Sequence, residues 1–271
     1  MKPDPLPPES FEKKFSSSVR RAAGAARLCV ERPTSDAIHE ARISIRKVMA
    51  AVSLMPRGYR NNSKTRSAIK SLRLFYRACA EIRDIDTMEH ALSEFTGCGG
   101  FEAINRLLVE RRASLLHSVV SSGKKAKDIE VPKVKGATKR RLSKRLSRLL
   151  KERAERATRF YLSAAANETR ARDLHRLRKE CRRIMYLVGF GDHGSGVRTV
   201  KSALEEARTK LGAIRDDDLL LEVLTEVKGN TTLKLAEAVS ASRHNKYVQF
   251  FAPRLGVTGG PALLRIIRSM T

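Results

Sequence analysis

Residues 39–49 read His-Glu-Ala-Arg-Ile-Ser-Ile-Arg-Lys-Val-Met, and residues 175–185 read His-Arg-Leu-Arg-Lys-Glu-Cys-Arg-Arg-Ile-Met. Both follow one pattern, His-x-x-Arg-x-x-x-Arg-[Lys/Arg]-[Val/Ile]-Met, at an offset of 175 − 39 = 136 positions. The residue types suit phosphate. Arginine offers a planar fork of donors that matches phosphate oxygens and stays charged at any relevant pH. Lysine adds a compact charge. Histidine donates from a ring nitrogen and gains a proton beside an anion. A phrase repeated at this spacing points to two halves of one ancestry, and what was duplicated is a surface for anions.

The elements that must position these groups are helices. At about 100° per residue, Ile38, Ala41, Ile45, Val48 and Val52 fall within about 80° of one another and form a core face. His39, Arg42 and Arg46 form a second stripe, with Lys47 on its flank. In the second phrase Leu174, Leu177, Cys181, Ile184 and Val188 take the core angles, and His175, Arg178, Arg182 and Arg183 take those of the stripe. Successive donors then stand about one turn, or 5 Å, apart along the axis.

A second echo follows each phrase. Ile82-Arg83-Asp84-Ile85-Asp86 matches Ile214-Arg215-Asp216-Asp217-Asp218 as Ile-Arg-Asp-x-Asp, at an offset of 214 − 82 = 132. Asp84 and Asp216 read as helix caps. Arg83 and Arg215 either pair with the second aspartate or meet phosphate directly. Further basic residues recur at helical spacing: Lys70, Arg73 and Arg77 in the first half, Lys201 and Arg208 in the second.

Almost every long segment has helical periodicity, and alternating β-branched runs are missing. After a Pro-rich leader at 1–8, helices are expected at about 10–31, 34–56, 62–82, 84–95 and 100–122. Residues 124–136 read as a linker. The order then resumes with helices at about 138–166, 168–188, 197–211, 216–227 and 231–251, a Gly-rich loop at 189–196 and a short final helix. The expected domains are 9–123 and 137–271.

The 271 residues include 55 Lys and Arg against 29 Asp and Glu, a formal charge of +26, so polyanions are the expected partners. Apolar residues make up 41%, which places that charge on a folded protein. Aromatic content is 5% with no Trp, which argues against single-strand stacking platforms and interfacial membrane helices. Cys29, Cys79, Cys98 and Cys181 form no Cys-x-x-Cys pair and read as reduced, mostly buried thiols. With no signal-peptide core and no bilayer-length apolar run, a soluble cytoplasmic protein is expected.

These features together resemble the CHAD domain, the conserved histidine α-helical domain. The resemblance rests on His39/Arg42/Arg46/Lys47, on His175/Arg178/Arg182/Arg183 and on the Ile-Arg-Asp-x-Asp segment after each. It implies an all-α fold of two antiparallel helical bundles related by a pseudo-twofold axis, with a basic groove or pore between them. It also implies binding of inorganic polyphosphate and, for some members, association with polyphosphate granules. Family phrases often carry a further Arg where this chain has Met49 and Met185. The expected binding set is the eight phrase residues with Arg73, Arg77, Lys201 and Arg208.

Nucleic acid is the competing polyanion, although no helix-turn-helix, RRM or zinc-finger pattern is present. Catalysis is not expected. There is no His-Glu-x-x-His, no phosphate-binding Gly-rich loop, and nothing that fixes a nucleophile or base. Asp84/Asp86 and Asp216/Asp218 would at most attract Mg²⁺ carried by phosphates. No cofactor and no metal site is expected, and the sequence leaves the oligomeric state open.

Overall fold

The computed structural model describes residues 6–134, 137–191, 195–227, 230–252 and 259–270. Its helices are α1 (Pro8–Glu31), α2 (Ser35–Leu54), α3 (Arg57–Asn61), α4 (Ser63–Leu92), α5 (Phe101–Ala126), α6 (Lys139–Ala166), α7 (Ala171–Val188), α8 (Ser195–Glu226), α9 (Asn230–Phe251) and α10 (Gly260–Arg268). A 3-10 turn occupies Ser93–Phe95, and no strand occurs among the described residues, so the fold is all-α.

Local chemistry explains the helix ends. α1 opens on Pro8, where a missing N–H costs nothing, and stops before Pro33. Thr34 caps α2 by accepting the Ala37 N–H at 3.2 Å. α2 stops ahead of Pro56, whose ring disfavours helical geometry at Met55. The short α3 has no counterpart among the expected helices; its Tyr59 donates to the Pro132 carbonyl at 2.7 Å and fastens part of the expected linker. α5 runs on through Ala126, into that linker, whose residues 135–136 lie outside the described residues. The expected loop at 189–196 is shortened by the start of α8 at Ser195, and its residues 192–194 also lie outside the described ones.

The main departure concerns the Ile-Arg-Asp-x-Asp segments. Breaks were expected there, yet α4 and α8 run through both, and neither Asp84 nor Asp216 is a cap. The reason is a buried stripe that continues past each segment, on α8 through the ion-paired Asp217 and Asp218 to Leu220 and Val223. Leu72, Phe75, Cys79, Ile82 and Ile85 carry it along α4, and Leu204, Ala207, Leu211 and Ile214 along α8. An aspartate inside a helix costs only a fraction of a kcal/mol, less than exposing such a stripe.

The described chain forms two units, one of residues 6–86 and 109–146, the other of residues 87–108 and 147–270. In the first, the short connection after α1 folds α2 back along it. Phe11 and Phe15 stack with ring centres 6.4 Å apart, Tyr59 meets Phe15 edge-on, and Ile38, Ile45, Leu72 and Phe75 are fully buried. In the second, α7, α8 and α9 pack in succession, and α10 lies on α8 and α9. Tyr161, Phe250 and Phe251 cluster there, while Tyr247 donates to the Ala164 carbonyl at 2.8 Å. The four cysteines are free, and Cys29, Cys79 and Cys181 are buried. Among the described residues no helix is long and apolar enough to cross a membrane.

Candidate functional site

The first phrase lies on α2. Ile38, Ala41, Ile45 and Val48 are fully buried, which fixes the direction of the cationic stripe. Arg46 leans onto α4 and donates to the Tyr76 hydroxyl from Nε at 3.0 Å and from Nη2 at 2.8 Å. The guanidinium carbons of Arg42 and Arg46 lie 5.7 and 5.3 Å from the Tyr76 ring centre. Arg42 also reaches Asp84 at 4.0 Å, and its side chain is only 11% exposed. Burial, and then the neighbouring Arg46, lowers its pKa. Its buried Nε has no hydrogen-bond partner among the described residues. The arrangement is two cations on one ring, with a donor left over.

His39 is exposed and Lys47 half-buried on the same helix. Arg73 and Arg77 are exposed and, at about 60° and 100° from Tyr76, share its side of α4. Tyr76 was not among the expected site residues. The available signal was a tyrosine in step with Arg73 and Arg77.

The second phrase lies on α7, where Leu174, Leu177, Cys181, Ile184 and Val188 are buried. His175 stands amid cations. Its pKa is pushed down to about 3 by burial and then by Lys179, Arg215, Arg178 and Arg182. Its buried Nδ1 has no partner among the described residues. The Arg178 guanidinium lies against Gly212 of α8: a Cβ at Gly212 would stand 3.3 Å from Arg178 Nη2. Lys201 and Arg208 fall on the same side of α8 as Gly212. Lys201 is half-buried, and Arg208 is engaged with Glu205. The structure thus brings His175, Arg178 and Arg182 together and adds Lys179 and Arg215. Arg183 is set apart: it donates to Glu180 at 2.6 Å and lines a cleft against α6.

The second aspartate of each Ile-Arg-Asp-x-Asp segment holds these helices in place. Asp86, 8% exposed, accepts from Arg112 Nε at 2.9 Å and from the hydroxyl of Ser35, the first residue of α2. Asp218, also 8% exposed, accepts from Arg243 Nε at 2.7 Å. Arg243 continues to Glu168, just before α7, at 2.7 Å. The arginine comes 112 − 86 = 26 residues after the aspartate in one half and 243 − 218 = 25 after it in the other. Arg83 does pair with Asp86, at 3.9 Å. Arg215 does not pair with Asp218, which Arg243 occupies; it reaches Glu222 at 2.9 Å. No group of three or more His, Cys, Asp or Glu that could hold a metal ion occurs among the described residues.

A family model described as "CHAD domain" matches residues 15–225. Among solved structures, the crystal structure of the CHAD domain from the plant Ricinus communis is similar, with a TM-score of 0.61 and 15% identity, covering 99% of this chain and 94% of that one. PptA from Streptomyces chartreusis is similar with a TM-score of 0.53 and 14% identity, covering 97% and 98% respectively. At these identities the likeness is one of fold. No curated protein matches the chain.

Proposed function

The chain belongs to the CHAD domain family, a polyphosphate-related family, and from that premise we propose that it binds inorganic polyphosphate without catalysing its turnover. The observation that carries the proposal is the setting of His175. A ring nitrogen with an unmet hydrogen bond stands beside four cationic side chains, Lys179, Arg215, Arg178 and Arg182. The surroundings are net positive even with Arg215 paired to Glu222, and a phosphate group supplies both a negative charge for them and an acceptor for the ring. Arg42 and Arg46 on Tyr76 form a second cluster of the same kind on the other phrase. Cations one helical turn apart meet successive groups of a repeating anion.

The test is a calorimetric titration of long-chain polyphosphate in buffers of rising ionic strength. Binding tighter than millimolar at low salt, falling steeply as salt displaces the advantage of counterion release, is the expected result. Binding weaker than millimolar at low salt would end the proposal. Competition with RNA or DNA of equal charge should favour polyphosphate, and the reverse order would make nucleic acid the ligand. Residence in the cytoplasm at polyphosphate granules belongs to the same proposal.

A further inference from the structure

The second unit contains a cleft that shares Lys179 and Arg183 with the phrase helix's cations but is otherwise left unused by the polyphosphate reading. It is an open cleft of about 550 Å³ between α6 and α7, walled by Arg156, Arg159 and Phe160 on one side and Arg176, Lys179 and Arg183 on the other. Arg178 leaves α7 toward Gly212 of α8 instead. Most of its α7 wall is also absent from the duplicated pattern. At the offset that aligns the two phrases, Asp173, Arg176, Lys179 and Glu180 correspond to Ala37, Glu40, Ile43 and Ser44. Arg183 falls on Lys47 and belongs to the repeat, whereas these four positions are particular to the second half.

Its chemistry is mixed. Arg156 and Arg159 are exposed and make no ion pair among the described residues. The Arg176 guanidinium carbon lies 5.5 Å over the Phe160 ring centre, and its Nη1 pairs with Asp173 at 3.2 Å. Asp173 accepts the Ser163 hydroxyl at 2.7 Å. Buried Glu180 is neutralised by Arg153 at 3.2 Å and Arg183 at 2.6 Å. An inorganic phosphate chain has no ring to set against the Arg176–Phe160 pair and no donor to offer Asp173. A ligand with an anionic end, a flat ring and hydrogen-bond donors satisfies all three parts.

We propose that this cleft binds a nucleoside diphosphate. The phosphates lie on Arg156 and Arg159, the base stacks on the open face of the Arg176 guanidinium, and Asp173 accepts from a base or sugar donor. The cleft volume lies in the range of small-ligand pockets. The proposal stands independently of polyphosphate binding.

The test is calorimetry of the full chain with ADP, with adenosine and pyrophosphate as separate arms. ADP should bind one-to-one and at least about tenfold more tightly than either part, since both the stacking and the charged hydrogen bonds contribute. The double substitution Arg156→Gln/Arg159→Gln, on exposed residues whose loss orphans no carboxylate, should weaken ADP about tenfold or more and leave polyphosphate binding unchanged. Arg176→Gln should weaken ADP and not pyrophosphate. The proposal is overturned if pyrophosphate binds as well as ADP, or if the arginine pair leaves ADP affinity unchanged. It is overturned equally if ADP binding is lost on replacing Arg42, Arg46, Arg178 and Arg182.

Discussion

Arg46 meets Tyr76 through two of its nitrogens, Nε at 3.0 Å and Nη2 at 2.8 Å, both donating to the phenolic oxygen. Arg42 lies over the same ring. One tyrosine therefore orients two like charges, and the attraction of its ring face offsets part of their repulsion by about 0.5–2 kcal/mol. Tyr76→Phe keeps the ring and removes the acceptor. Polyphosphate affinity should fall a few-fold and stability by about 1 kcal/mol. Tyr76→Leu removes both and should cost more affinity. Titration at fixed salt and thermal unfolding measure the two effects. Equal affinity in both variants would show that the ring positions nothing.

Replacing Arg42, Arg46, Arg178 and Arg182 together with Ala should lower polyphosphate affinity by orders of magnitude and leave the far-ultraviolet circular dichroism unchanged. An unaltered affinity would place the ligand on another face.

His175 makes both stability and binding pH-dependent. Its folded pKa of about 3 lies below the ordinary 6.5. Between those values the unfolded chain holds a proton that the folded chain does not. Stability therefore rises with pH across that window and falls on acidification. His175→Gln should flatten that acid limb in thermal unfolding. A bound phosphate reverses the local field and raises the pKa, so binding takes up a proton and tightens as the pH falls from about 7 toward 5. Titration near pH 5.5 in two buffers of different ionisation enthalpy reads this uptake directly. No difference between the buffers would exclude His175 from the ligand's surroundings.

Arg243 and Asp218 form a buried ion pair, and removing one partner strands the other. Arg243→Met or Asp218→Asn should cost about 3–5 kcal/mol in urea unfolding. The double variant Asp218→Asn/Arg243→Met should lose less than the sum. Full additivity would mean that the two side chains act separately.

Gly212 separates stability from binding. Alanine in place of an interior helical glycine stabilises by about 1 kcal/mol. Yet the new methyl would stand 3.3 Å from Arg178 Nη2, tight enough to push the guanidinium by a few tenths of an ångström. Gly212→Ala should thus be a more stable protein and a weaker polyphosphate binder. A gain in both properties would show that Arg178 has no fixed place at the site.

The phrase helices were legible because a repeated apolar period sets the phase of the repeated cations. Ile38, Ile45, Leu177 and Ile184 are all buried, and Arg42, Arg46, Arg178 and Arg182 leave from beside them. Tyr76 was not legible. It comes 76 − 46 = 30 residues after Arg46, and their contact depends on how α2 lies on α4. Arg183 was ambiguous for an angular reason: it stands about 80° round α7 from His175, near enough for the stripe by period alone. Glu180 decides its direction. The continuity of α4 and α8 is hidden in the sequence because an aspartate after an apolar run is also the mark of a new helix. Only the buried stripe beyond it distinguishes the two.

The continuity of α4 has a kinetic consequence. The ring beneath Arg42 and Arg46, the carboxylate beside Arg42 and the aspartate that grips Ser35 all ride on one rod, so the cluster is assembled when the chain folds and not when a ligand arrives. An incoming anion has little ordering to impose, and long-range attraction from a charge of +26 speeds its approach. Capture should run close to the rate of encounter, leaving residence time as the quantity that salt and mutation adjust.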